Sequence, residues 1–144
     1  YVSALIPDEG QSVVDVNQPF PAGPGSAEFR PDAAGFLWLT PKGIHEDFAQ
    51  DLPAAKRKVL AASQGPWAAQ ATTQKVYGVA WKNKPSWCIV AANDRMINPE
   101  LERAEAKMIN ATTIELVSSH VPMLSQPDKV AAFIVKAAQK LSAQ

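Results

Sequence analysis

Two residues in the last third of the chain could do chemistry together. Asp94 ends the run Ser86-Trp-Cys-Ile-Val-Ala-Ala-Asn-Asp, and His120 ends the run Thr112-Thr-Ile-Glu-Leu-Val-Ser-Ser-His. Each run reads as a short, buried-type strand. A carboxylate that accepts from one imidazole nitrogen fixes the tautomer and leaves the other nitrogen to take a proton from a nucleophile. Taken singly, Asp94 reads better as a turn acid, and His120 as a hydrogen-bonded residue beside the core. Their order along the chain argues for a pair. Two parallel strands joined by a helical crossover bring their C-terminal ends to one edge. Open α/β sheets place their ligands at that edge.

A general base needs a nucleophile. The strand-to-helix elbow Gly-x-Ser-x-Gly does not occur in the 144 residues. Ser26, in Gly23-Pro-Gly-Ser, lacks the glycine spacing and lies in a Pro/Gly-rich loop. Ser118, Ser119 and Ser125 flank the histidine without the elbow pattern. The second imidazole, His45, stands beside Glu46 and Asp47. No further His or Cys accompanies it to complete a usual metal-ligand set. Acids near a helix start explain that trio more simply.

The elements that must position Asp94 and His120 follow from pattern. Residues 1–7 read as one core-sheet strand, closed by Pro7-Asp8-Glu9-Gly10. Residues 8–74 read as a cap inserted between strands. Its first part, to about residue 43, holds Pro19, Pro21, Pro24, Pro31 and Pro41, which exclude a long helix or a central strand. It also holds Phe20, Phe29, Phe36, Leu37 and Trp38, too many large apolar residues for a disordered linker. From His45 to about Gln74 the pattern turns helical, with Ile44, Phe48 and Leu52 at i, i+4, i+8. Gly65-Pro66 stops one helix, and Pro66 to Thr72 reads as the start of another. Residues 75–144 resume strand–helix alternation. Asn98-Pro99-Glu100 is a helix start: cap, Pro at the first position and an acid in the first turn. Leu101, Ala104 and Met108 are its expected apolar face. A last helix opens at Ser125-Gln126-Pro127-Asp128, with Val130, Phe133, Ile134, Ala137, Ala138 and Leu141 as its docking stripe.

The bulk numbers narrow the function classes. One domain of 144 residues can bury a real core. Apolar residues make up 47% and charged residues 19%, and the formal net charge is zero. No basic excess supports nucleic-acid binding. No apolar run approaches the roughly 20 residues of a membrane span. The single cysteine, Cys88, lies in an apolar strand and reads as structural. The compartment stays open.

The segments Lys84-Pro-Ser-Trp-Cys-Ile-Val-Ala-Ala-Asn-Asp-Arg-Met-Ile-Asn-Pro-Glu and Ala111-Thr-Thr-Ile-Glu-Leu-Val-Ser-Ser-His-Val-Pro-Met-Leu-Ser-Gln-Pro resemble the α/β-hydrolase superfamily. So does Tyr1-Val-Ser-Ala-Leu-Ile-Pro-Asp-Glu-Gly-Gln-Ser. The likeness is to small bacterial esterase-like hydrolases related to plant methyl esterases and hydroxynitrile lyases. It implies an α/β fold: the C-terminal portion of the parallel sheet, with an inserted, mostly helical cap. It implies that Asp94 is the triad acid and His120 the general base. The strand at Tyr1 then pairs with an upstream half of the same hydrolase, which holds the serine and the oxyanion hole. The expected activity is acyl transfer on a small hydrophobic ester, with no metal or organic cofactor. Phe36, Trp38, Phe48, Trp67 and Val121 are candidate pocket residues, although the aromatic four read equally as cap core. The alternative reading is a catalytically incomplete module that assembles through its exposed sheet edge.

Overall fold

The computed structural model describes residues 1–142. At the N-terminus the chain touches the sheet at one point. Val2 makes a single parallel bridge to Ile89, with the Ser3 amide donating to the Ile89 carbonyl at 3.0 Å and the Ile89 amide to the Tyr1 carbonyl at 2.9 Å. Ser3 has φ of 43°. That left-handed backbone ends the pairing, so the strand expected over residues 1–7 is only this bridge.

The chain then leaves the sheet. Helix α1 (Val13–Asn17) begins with a reciprocal cap, in which the Ser12 side chain accepts from the Asp15 amide and Asp15 accepts from the Ser12 amide. A 3₁₀ turn at Pro24–Glu28 follows. Strands β1 (Phe29–Pro31) and β2 (Phe36–Leu39) pair antiparallel, and β3 (Trp67–Ala68) adds to β2. The short α2 (Pro41–Gly43) runs into a π-helical turn at Ile44–Phe48. Helix α3 (Ala54–Ser63) comes next. Two expectations change here. The helical pattern from residue 45 is broken at 49–53, where the Leu52 amide turns back to the Ala49 carbonyl. The helix expected from Pro66 is instead β3 followed by a 3₁₀ turn at Ala69–Thr72. Trp67, pairing with Leu37, takes the strand.

The core is β4 (Trp87–Ala91), α4 (Pro99–Met108) and β5 (Thr112–Leu116), followed by the short α5 (Pro122–Ser125) and by α6 (Pro127–Ser142). Strands β4 and β5 are parallel, in register from Trp87 against Thr112 to Ala91 against Leu116. Alternate residues of a strand point to opposite faces. Cys88 packs with Ile6, Ala106 and Ile109 on the α4 side, and Ile89 packs with Leu116, Val130 and Phe133 on the α6 side. A strand covered on both faces reads as a continuous apolar run, as Cys88-Ile-Val-Ala does. No helix among the described residues is long and apolar enough to cross a membrane.

Both core helices dock on stripes different from those expected. On α4, Leu101, Glu102, Glu105 and Ala106 are buried, Ala104 is exposed and Met108 is 48% exposed. The true stripe runs i, i+1, i+4, i+5, and two of its members are glutamates that an apolar count passes over. On α6, Val130 and Phe133 are buried and Ala137 half-buried, but Ile134 is 54% exposed and Ala138 is exposed. One narrow ridge of the helix meets the sheet. The side chain of Leu141 lies outside the described part.

Glu105 is buried, and among the described residues neither of its carboxyl oxygens finds a donor in good geometry. Burial pushes its carboxyl up to about 7, opposed only weakly by the Ile6 amide. The folded state therefore holds a proton that the unfolded chain releases above about pH 4.5. The stability linked to that proton is full below the unfolded value and is lost as pH rises to about 7. Glu105→Gln keeps the shape without the charge. We expect it to match the parent near pH 4.5 and to be more stable at pH 8 by about 3 kcal/mol in urea unfolding, from about 1.4 kcal/mol per pKa unit over the rise from 4.5 to about 7. An equal offset at both pH values would refute this account.

Candidate active site

The parallel ladder does not stop at the last strand residues. The Ala92 amide donates to the Leu116 carbonyl at 2.8 Å, and the Asn93 amide to the Ser118 carbonyl at 3.1 Å. These bonds hold the two exit loops side by side, with Asp94 on one and His120 on the other. His120 Nδ1 lies 2.6 Å from Asp94 Oδ2. The other carboxylate oxygen, Oδ1, accepts from the Met96 amide at 2.7 Å and the Ile97 amide at 3.0 Å. The Asp94 side chain is fully buried, and that of His120 is 22% exposed.

These contacts fix the chemistry of the imidazole. A carboxylate only accepts, so the short contact requires the hydrogen on Nδ1. Neutral His120 then carries a lone pair on Nε2, which has no protein partner among the described residues. The pair is thus a buried, oriented carboxylate and a base with one free nitrogen.

A cavity of about 1210 Å³ opens where the excursion meets these loops, and His120, Met96 and Ile97 are among its lining residues. Phe48, Trp67, Phe29, Leu37 and Leu39 line it as well. Phe48 stacks obliquely on the His120 ring, with centroids 5.2 Å apart, and Trp67 packs against Phe29 at 5.6 Å. Of the five candidate pocket residues, Phe48 and Trp67 line the cavity. Phe36, Trp38 and Val121 do not. On β2 the two-residue alternation turns Leu37 and Leu39 toward the cavity, leaving Phe36 and Trp38 on the other face. Trp38 Nε1 donates to Asp32 at 2.9 Å. Val121 is buried against Ala49 and Leu52. Alternation alone separates these two pairs, once the segment is known to be a strand.

Sequence reasoning missed the clamp between the excursion and the exit loops. Asp47 accepts from Arg95 Nε at 2.8 Å, beside Asp94. Gln50 Nε2 donates to the Asn93 carbonyl at 2.7 Å, on the other side of Asp94. Asp51 accepts from the Ser119 hydroxyl at 2.5 Å and the Ser119 amide at 2.9 Å, beside His120. Gly23 and Gly25 close the same contact. The Gly25 amide donates to the Arg95 carbonyl at 2.9 Å, and a Cβ on Gly23 would lie 2.5 Å from that carbonyl oxygen. Two of the three carboxylate and imidazole side chains around His45 pair elsewhere: Asp47 with Arg95, and Glu46 at 4.0 Å from Lys42.

A parallel β–α–β unit covered by helices on both faces, with an acid and a histidine paired at its C-terminal edge, defines a class of protein. The chain belongs to the alpha/beta hydrolase family, whose model matches residues 1–133. Solved structures agree in fold. Polyneuridine aldehyde esterase is 17% identical with a TM-score of 0.73, over 95% of this chain and 60% of that one. A pyrethroid hydrolase from Sphingobium faniae JZ-2 is 18% identical with a TM-score of 0.74, over 100% and 61%. A methylesterase from Arabidopsis is 16% identical with a TM-score of 0.68, over 96% and 57%. The chain therefore spans about 60% of the length of these structures. No curated protein sequence matches it significantly.

Removing the Asp51 carboxylate leaves the Ser119 amide and hydroxyl without their partner in a fully buried residue. Asp51→Ala is expected to cost about 1–3 kcal/mol in urea unfolding, the usual penalty for a stranded buried group. Loss of less than a few tenths would mean that water replaces the clamp at no cost.

Proposed function

We propose that this chain supplies the acid and the base of an esterase-type serine hydrolase acting on a hydrophobic ester. The nucleophilic serine and the oxyanion hole come from an upstream segment of the same protein. The observation that carries the reading is the 2.6 Å contact from His120 Nδ1 to a fully buried Asp94, with His120 lining a largely apolar cavity. The fold family and the esterases among its solved neighbours support it.

The steps assign one task to each group. Nε2 of His120 takes the proton from the serine hydroxyl as its oxygen attacks the ester carbonyl. Asp94 holds the ring in the required tautomer and stabilises the imidazolium that forms. The imidazolium gives its proton to the departing alcohol. Water then enters and attacks the acyl carbonyl as His120 takes its proton; the imidazolium returns that proton to the serine oxygen as the acyl group leaves as the acid. Phe48 against the ring limits its rotation. Leu37, Leu39 and Trp67 favour an apolar substituent on the ester by burying it.

The reading is tested on the full-length protein with p-nitrophenyl esters and a fluorophosphonate probe. His120→Ala is expected to lower kcat by a factor on the order of 10³ or more, and Asp94→Asn by about 10³–10⁴ with little change in KM. The probe should label a serine upstream of Tyr1 in the parent, and label it far more slowly in His120→Ala. Turnover at the parent rate in His120→Ala would sink the assignment.

A further inference from the structure

The proposed mechanism leaves one buried titratable group beside the site unused. Glu102 lies on α4 and is 3% exposed. Its Oε2 accepts from the Ala91 amide at 3.1 Å, at the last residue of β4. Among the described residues its Oε1 finds no donor. What it does face is the carboxylate of Asp94, within hydrogen-bond reach. Two carboxyl groups cannot both be ionised and face each other in a buried site, and one proton between them resolves the conflict.

The surroundings decide which group holds that proton. Asp94 already accepts from two backbone amides and from His120, so its oxygens are committed as acceptors. Glu102 has a single amide. The other titratable groups against it are Glu105, one turn along α4, and Cys88 on β4. No Lys or Arg pairs with it among the described residues. Burial first, and then the Asp94 charge, push the Glu102 carboxyl up to about 9. The proton therefore stays on Glu102 at neutral pH and points to Asp94.

We propose that Glu102 is a positioning residue for Asp94, a carboxylic acid that donates a hydrogen bond to the carboxylate held by His120. This rests on the reading of Asp94 and His120 as acid and base. With it, every direction around Asp94 is filled: two backbone amides, the imidazole and the Glu102 acid. The carboxylate cannot rotate away from Nδ1 without breaking one of them. The arrangement also carries its own pH limit. When Glu102 ionises, two like charges face each other, and Asp94 is driven from its place.

The test uses the full-length protein and three variants, E102Q, E102L and H120A, with two readouts. The first is the pH profile of kcat and KM. The second is the downfield proton resonance of His120 Nδ1, which reports the Asp94 contact without requiring turnover. In the parent, kcat and the resonance should fall together near pH 9. E102Q keeps a donor toward Asp94 and an acceptor for Ala91. It should retain kcat within about threefold at pH 7 and lose the alkaline fall in both readouts. E102L should lower kcat at least tenfold at pH 7 with KM nearly unchanged, and broaden or shift the resonance. An E102Q profile that superimposes on the parent through pH 10 overturns the proposal, and does so even if E102L fails to fold. Full activity in H120A would overturn the catalytic reading instead, and the resonance would still decide whether Glu102 holds Asp94.

Discussion

The site depends on a backbone ladder that continues beyond its strands. Parallel pairing of β4 and β5 fixes the register, and the Ala92–Leu116 and Asn93–Ser118 bonds carry that register into the loops. Asp94 follows β4 by three residues and His120 follows β5 by four. A one-residue slip would turn each strand's side chains to the opposite face, and the two loops would no longer meet. The apolar packing of Cys88 and Ile89 on opposite faces therefore does more than stabilise the sheet. It sets the distance between a carboxylate and an imidazole 26 residues apart.

Much of this was legible in the chain. Asp94 and His120 were found because both stand at a strand exit, and a helix with an unmistakable start, Asn98-Pro99-Glu100, lies between them. The errors came where periodicity was read from apolar residues alone. Helix α4 buries Glu102 and Glu105, so its docking face is invisible to a hydrophobic count. Helix α6 shows the converse: a wide apolar stripe of which only Val130 and Phe133 are fully covered. In β2 the two-residue alternation separates Phe36 and Trp38 from Leu37 and Leu39, which composition alone does not distinguish.

The clamp at Asp47, Gln50 and Asp51 had no local signal. These side chains sit on a π-helical turn and the bend after it, where neither a period of 3.6 nor one of two applies. Their partners lie 43 to 68 residues away. Short polar residues in such a stretch look like ordinary solvated loop. Only the fold reveals that three of them within five positions hold the residues immediately flanking Asp94 and His120.

That clamp gives the excursion two roles at once. The same segment supplies much of the cavity wall through Phe48, Leu37, Leu39 and Trp67, and holds both exit loops through Asp47, Gln50 and Asp51. Shape of the cavity and alignment of Asp94 with His120 are consequently not separate modules in this molecule. A graft that replaced residues 8–74 to change ligand preference would also remove the struts behind the imidazole. To succeed, the donor segment would have to bring three polar side chains to the same places, or the recipient loops would have to be redesigned to stand alone.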